Sequence, residues 1–202
     1  LSVYGPRSRA ETMIAGVNRM HSRVRGATHD RRPFRADDPE LLDWVHATAC
    51  FGFLEASRAY VGPIAPLERD RFYAESAPVA KLYGAAAVPE SEAAVSALFE
   101  RTGAKLERSE IVFEFLEIAR RMPLLPAPLR PVQGVLSAAA VQLVPSRIRL
   151  RIGLADRPLP EWQRRLVCAA GRAADRLVLR SHPAVQACRR LGLADDFLYT
   201  RR

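Results

Sequence analysis

Apolar residues recur at steps of three and four through nearly every segment of this chain, and nowhere do they alternate long enough to define a strand. That pattern constrains the fold more than any motif. A helical period of about 3.6 and a strand period of about 2 place the same residues on incompatible faces. From Arg7 onward, Ala10, Met13, Ile14, Val17, Met20, His21 and Val24 form one stripe on a first helix, and Gly26 suits its C-terminal cap. Asn18 and Arg25 then stand one helical turn before and after His21. Residues 27–36 are polar, contain His29 and Pro33, and read as a loop.

A second helix starts at Asp38-Pro39, where an aspartate cap is followed by proline at the first helical position. Its predicted core face is Leu41, Leu42, Val45, His46, Ala49, Cys50, Phe53 and Leu54, running to about Val61. A third helix opens at Pro66, with Pro78 restarting or kinking it and Gly84 closing it. A fourth begins at Pro89-Glu90-Ser91-Glu92, and a fifth at Ser109 with Ile111, Val112, Phe115, Leu116 and Ile118 as its core face. The run 123–131 holds four prolines in nine residues and reads as an extended connection. A small-residue helix over 132–144 is ended by Pro145, and two more helices begin near Pro160-Glu161 and after His182-Pro183. The expected class is therefore all-α, about seven to nine helices packed in globin-like style in a single domain spanning residues 1–202.

Composition bounds what such a bundle can do. With 49% hydrophobic and 26% charged residues the chain is globular rather than disordered, and no apolar run approaches the length of a membrane span. The formal charge is +9, and all but Lys81 and Lys105 of the 31 basic residues are arginine. They are scattered, with a modest concentration after Arg147. A nucleic-acid binder would gather them on one face, so no nucleic-acid partner is expected and a basic DNA-binding regulator is disfavoured. Arg147, Arg149 and Arg151 read as a solvated face. Three distant cysteines, Cys50, Cys168 and Cys188, with no Cys-x-x-Cys pair, fit small buried apolar residues in a reducing, cytoplasmic compartment rather than a disulfide framework or zinc site.

His21 and His46 each sit within an apolar stripe. Neither has a glutamate three residues before it, so a carboxylate-bridged di-metal bundle is not indicated, and His-Glu-x-x-His is absent. A lone histidine on such a face is ordinarily a hydrogen-bonded core residue. A single imidazole in an apolar helical pocket, with an arginine nearby, also meets the needs of a b-type haem.

The string Val17-Asn18-Arg19-Met20-His21-Ser22-Arg23-Val24-Arg25-Gly26, followed by Phe34-Arg35-Ala36-Asp37-Asp38-Pro39-Glu40-Leu41-Leu42-Asp43-Trp44-Val45-His46-Ala47-Thr48, resembles the MpaB-type oxygenase family, which includes the rubber oxygenases (latex clearing protein). The resemblance continues through Tyr60-Val61-Gly62-Pro63-Ile64, Glu68-Arg69-Asp70-Arg71-Phe72-Tyr73-Ala74-Glu75 and Val88-Pro89, and more loosely to Leu143-Val144-Pro145 and Arg149. It implies a distinct all-helical haem-binding fold, haem b with iron as cofactor, dioxygen as co-substrate, and an apolar small-molecule or isoprenoid substrate. Peripheral membrane contact is a further expectation, resting on the alternating basic run Arg147, Arg149 and Arg151 and not on the resemblance. The family's His-x-x-x-Arg motif falls on His21 and Arg25. His21 is then the axial metal ligand and Arg25 a propionate or ion-pair partner. His46 is pocket lining, with Trp44 and Thr48 supporting its helix. Helices that precede the Val3-Tyr4-Gly5-Pro6-Arg7 segment in the family are expected to be missing here, and with them the distal residues. The competing expectations are a cofactor-free helical interaction module and a haem-dependent dehydrogenase on the same scaffold.

Overall fold

The computed structural model describes residues 3–28, 31–122, 127, 130–154 and 158–200. Among them are nine helices: α1 Arg7–His21, α2 Pro39–Tyr60, α3 Pro66–Leu82, α4 Glu92–Gly103, α5 Glu110–Arg121, α6 Arg130–Leu143, α7 Ser146–Arg151, α8 Glu161–Asp175 and α9 Pro183–Arg190. The all-α expectation holds, with one addition. Strands β1 Arg25–Ala27 and β2 Pro33–Arg35 pair antiparallel, Arg25 opposite Arg35, Gly26 opposite Phe34 and Ala27 opposite Pro33. Three-residue strands are too short to show an alternation, so periodicity could not find them. Gly26 therefore sits in a strand and does not cap α1. A Cβ there would lie 2.7 Å from the Phe34 ring, so the close cross-strand packing of that ring needs a glycine.

Helix boundaries follow the punctuation of the chain. The Asp38 Oδ1 accepts hydrogen bonds from the backbone N–H of Glu40 (2.9 Å) and Leu41 (3.2 Å), the cap that the Asp-Pro pair signalled. Ser109 caps α5 by accepting from Ile111 N–H. Pro78 lies within α3 and neither ends nor restarts it. Gly84 takes the turn after α3 at φ 99°. Most of the proline-rich run, and His29, lie outside the described residues.

Two compact units can be described. The first comprises residues 1–50, 66–94 and 174–202, with Ile14, Ala47, Cys50, Tyr73, Ala77, Ala80 and Val185 in its core. The second comprises 51–65 and 95–173, with Leu54, Val95, Ala139, Val167 and Cys168 buried. All three cysteines are buried free thiols, as expected of small apolar residues.

Three predicted faces are corrected. The buried face of α2 is Asp43, Ala47, Cys50 and Leu54, while Leu41, Val45 and Phe53 are exposed. The helix is turned toward a polar residue because the Asp43 carboxylate accepts from Ala86 N–H (3.0 Å) and from Ala87 N–H (3.0 and 3.1 Å). On α5, Ile111, Phe115 and Ile118 are exposed, and no residue of that helix is fully buried. Arg149 is not on a solvated face. It is 7% exposed and donates to the Gln142 backbone and side-chain oxygens at 3.2 and 3.1 Å.

Candidate functional site

His21 is the last residue of α1, and the chain turns immediately after it, with Val24 N–H donating to the His21 carbonyl at 3.0 Å. The helix ends there, so Arg25 is not one helical turn on. It begins β1 instead. The end of α1 is fastened by Asn18, whose Nδ2 donates to the Leu82 carbonyl at 2.9 Å. His21 Nδ1 is closed off from solvent without a hydrogen-bond partner, and so is Asn18 Oδ1, one turn earlier on the same helix. Leaving such a group unmatched costs about 1–3 kcal/mol, so a bare imidazole nitrogen at this position calls for a partner.

The hairpin that follows carries the charges. Arg25 and Arg35 stand directly opposite each other across β1 and β2. Like charges in that relation repel. Arg35 is met by Asp37 through two contacts of 2.8 Å, which hold the Asp37 carboxyl below its ordinary range; Arg25 adds a smaller pull in the same direction. One carboxylate thus faces two guanidiniums, and Arg25, exposed, keeps the spare charge.

His46 is placed differently. Its Nε2 lies 3.0 Å from Ser76 Oγ and 3.4 Å from Cys50 Sγ, and Ser76 in turn donates to the Tyr73 carbonyl at 2.8 Å. Burial lowers the His46 pKa, outweighing the attraction of Asp43. Burial also pushes the Cys50 thiol up, against a smaller opposite effect from its Ser76 contact, so it is not a poised nucleophile. Half-buried His46 thus has a hydrogen-bond partner and links α2 to α3 through Ser76. Trp44 and Thr48 belong to the same helix, and Thr48 Oγ1 donates back to the Trp44 and Val45 carbonyls.

Ser76 and Asp43 were not singled out as partners from the sequence. Asp43 stood within a quoted motif, but its acceptors' donors are backbone amides more than forty residues away. Ser76 sits mid-helix, where no local signal marks it. Among the described residues no three His, Cys, Asp or Glu side chains converge to hold a bare metal ion. A cofactor that needs one axial nitrogen does not require such a cluster.

Among the described residues, the largely helical chain presents one buried imidazole nitrogen without a partner, on His21 at the end of α1, followed in sequence by the arginine-bearing β1–β2 hairpin. The family model described as ER-bound oxygenase mpaB/B'/Rubber oxygenase, catalytic domain, matches residues 1–176, and the chain belongs to that family. No curated protein and no solved structure matches it. Membership makes this an oxygenase-family catalytic domain, with dioxygen and a small molecule as its co-substrates. Among the described residues no helix is long and apolar enough to cross a membrane.

Proposed function

We propose that this chain is a b-type haem-dependent oxygenase domain in which His21 would hold the haem iron, acting on an apolar, isoprenoid-like substrate. The observation that carries the reading is the unmatched imidazole of His21 at the end of α1. Ligation by one ring nitrogen would leave the other to donate as N–H, and Asn18 Oδ1, buried and unmatched one helical turn earlier but not hydrogen-bonded to the ring in this structure, would be its candidate acceptor after a change of rotamer. Such a pair would fix the tautomer and the orientation of the ring. Arg25 supplies the positive charge that a carboxylate-bearing macrocycle needs, and the excess of guanidinium over carboxylate on the β1–β2 hairpin supports that role.

When bound, haem supplies the dioxygen chemistry, which no side chain of this chain can perform. The protein's own work is to hold the ring nitrogen, balance the propionate charge and keep an apolar surface against the substrate. His46 contributes as a positioning residue: its bond to Ser76 locks α2 to α3 within the same unit as His21.

A hemin titration of the purified chain followed by its visible spectrum, with a pyridine hemochrome assay, tests the reading. The expected result is a Soret band at near-stoichiometric loading, lost in His21→Ala and retained in His46→Gln. Circular dichroism checks that His21→Ala is folded, since His21 is not part of the core. A missing band, or one indifferent to His21→Ala, rules the reading out. The cofactor-free interaction module would be favoured instead, for which the exposed Ile111, Phe115 and Ile118 of α5 are the specific support. An oxidase or dehydrogenase on the same scaffold is separated from an oxygenase by labelled dioxygen, which enters the product only in the latter.

A further inference from the structure

The second unit holds an open cavity of about 560 Å³, well inside the size range of small-molecule sites. Phe51, Phe99 and Ile148 give it an apolar wall, the two rings tilted at 57° with centroids 4.9 Å apart. Its charged lining is Glu100, Arg147 and Arg151. We infer that this cavity binds a small amphipathic anion, an apolar body ending in a carboxylate, with the carboxylate at Arg147 and Arg151.

The arrangement of α7 carries the inference. Buried Arg149, held by Gln142, fixes the rotation of that short helix. Residues two before and two after it lie on the opposite side, which turns Arg147 and Arg151 to the cavity together, one turn apart. Like charges at that spacing repel unless an anion sits between them. Arg151 donates to the Ala104 carbonyl just beyond α4, which orients its guanidinium but adds no counter-charge. Arg147 makes no ion pair with any described residue, and neither does Glu100. The lining therefore carries one more positive than negative charge, all three borne on side chains beside an aromatic wall. A cation would meet two guanidiniums against one carboxylate. Inorganic phosphate would leave the apolar wall unmatched. Only a ligand with an apolar body and an anionic end matches both features. None of these residues belongs to the unit that holds His21, so the inference stands apart from the haem reading.

Isothermal titration of the full chain with decanoate, decan-1-ol and decylamine, each below its aggregation limit, tests it. Decanoate is expected to bind at one saturable site with a Kd below about 1 mM, at least about tenfold tighter than the alcohol or the amine. Arg147→Glu, at an exposed position, is expected to weaken decanoate by about tenfold or more while circular dichroism stays unchanged. Ser96→Trp, which puts an indole into the cavity, is expected to block it. Equal binding of all three probes, no saturable decanoate site, or an affinity indifferent to Arg147→Glu overturns the inference. Prior loading with hemin is expected to leave decanoate binding intact, and displacement by hemin would place the anion elsewhere and count against it.

Discussion

His46 shows how one side chain carries both packing and pH response. Its imidazole is held neutral by burial, so the folded chain takes up a proton at lower pH than the unfolded chain, whose histidine titrates near 6.5. As pH falls through 6.5 the unfolded state binds the proton first, and linkage then favours unfolding. Stability is thus complete above that value and declines through the window down to the lowered folded pKa, where it levels off. Urea midpoints measured from about pH 7.5 to pH 5 are expected to fall in the wild type and to flatten over that window in His46→Gln. An equal slope in both would mean that other groups carry the dependence. Asp43, three residues earlier, does the complementary work: the backbone N–H groups of Ala86 and Ala87 donate to its buried carboxylate and supply the partners its burial requires.

Among the elements, α5 departs furthest from its sequence pattern. Its strong amphipathicity is real, but part of the apolar stripe faces solvent, and what holds the end of the helix is a polar group from α6. Gln133, 5% exposed, donates through Nε2 to the carbonyls of Ala119 (2.7 Å), Arg120 (3.1 Å) and Met122 (2.6 Å). Two amide hydrogens serve three carbonyls that have no partner within the helix beyond its last turn. Gln133→Leu is expected to lose about 2 kcal/mol by urea denaturation, with faster amide exchange concentrated in the last turn of α5. A variant as stable as the parent would show that water serves those carbonyls equally well. The motif residues of α3 have similar structural duties: Asp70 accepts from Glu92 N–H at 2.8 Å at the start of α4, Arg69 pairs with Glu92 at 2.8 Å, and Tyr73 is buried. Their place in a family pattern therefore needs no catalytic explanation.

For the whole molecule, the proposed haem reading predicts a change in global stability as well as a spectrum. A ligand that binds only the folded chain adds about 2.7 kcal/mol when present at a hundredfold excess over its Kd. Hemin is accordingly expected to raise the thermal midpoint of the chain, and to leave that of His21→Ala unchanged. A shift of equal size in both would point to non-specific adsorption on a protein of formal charge +9.

Helical class, most helix starts and the burial of the cysteines were legible in the sequence, because period, caps and small apolar size are local properties. Asp38-Pro39 and Ser109 act as caps wherever the chain is extended before a helix. His21 and Arg25 were legible only as a motif; the structure sets one at a helix end and the other on a strand, a difference that three-residue strands cannot announce. The orientation of α2, the inward turn of Arg149 and the partners of His46 were decided by tertiary structure alone. In each case a polar side chain meets a group far away in the chain or on another helix, and its desolvation is offset only when that partner arrives. Periodicity ranks residues by apolarity, so it set Asp43 and Arg149 outside the core. The folded chain buries both, because each finds the oxygen or amide groups that make burial affordable.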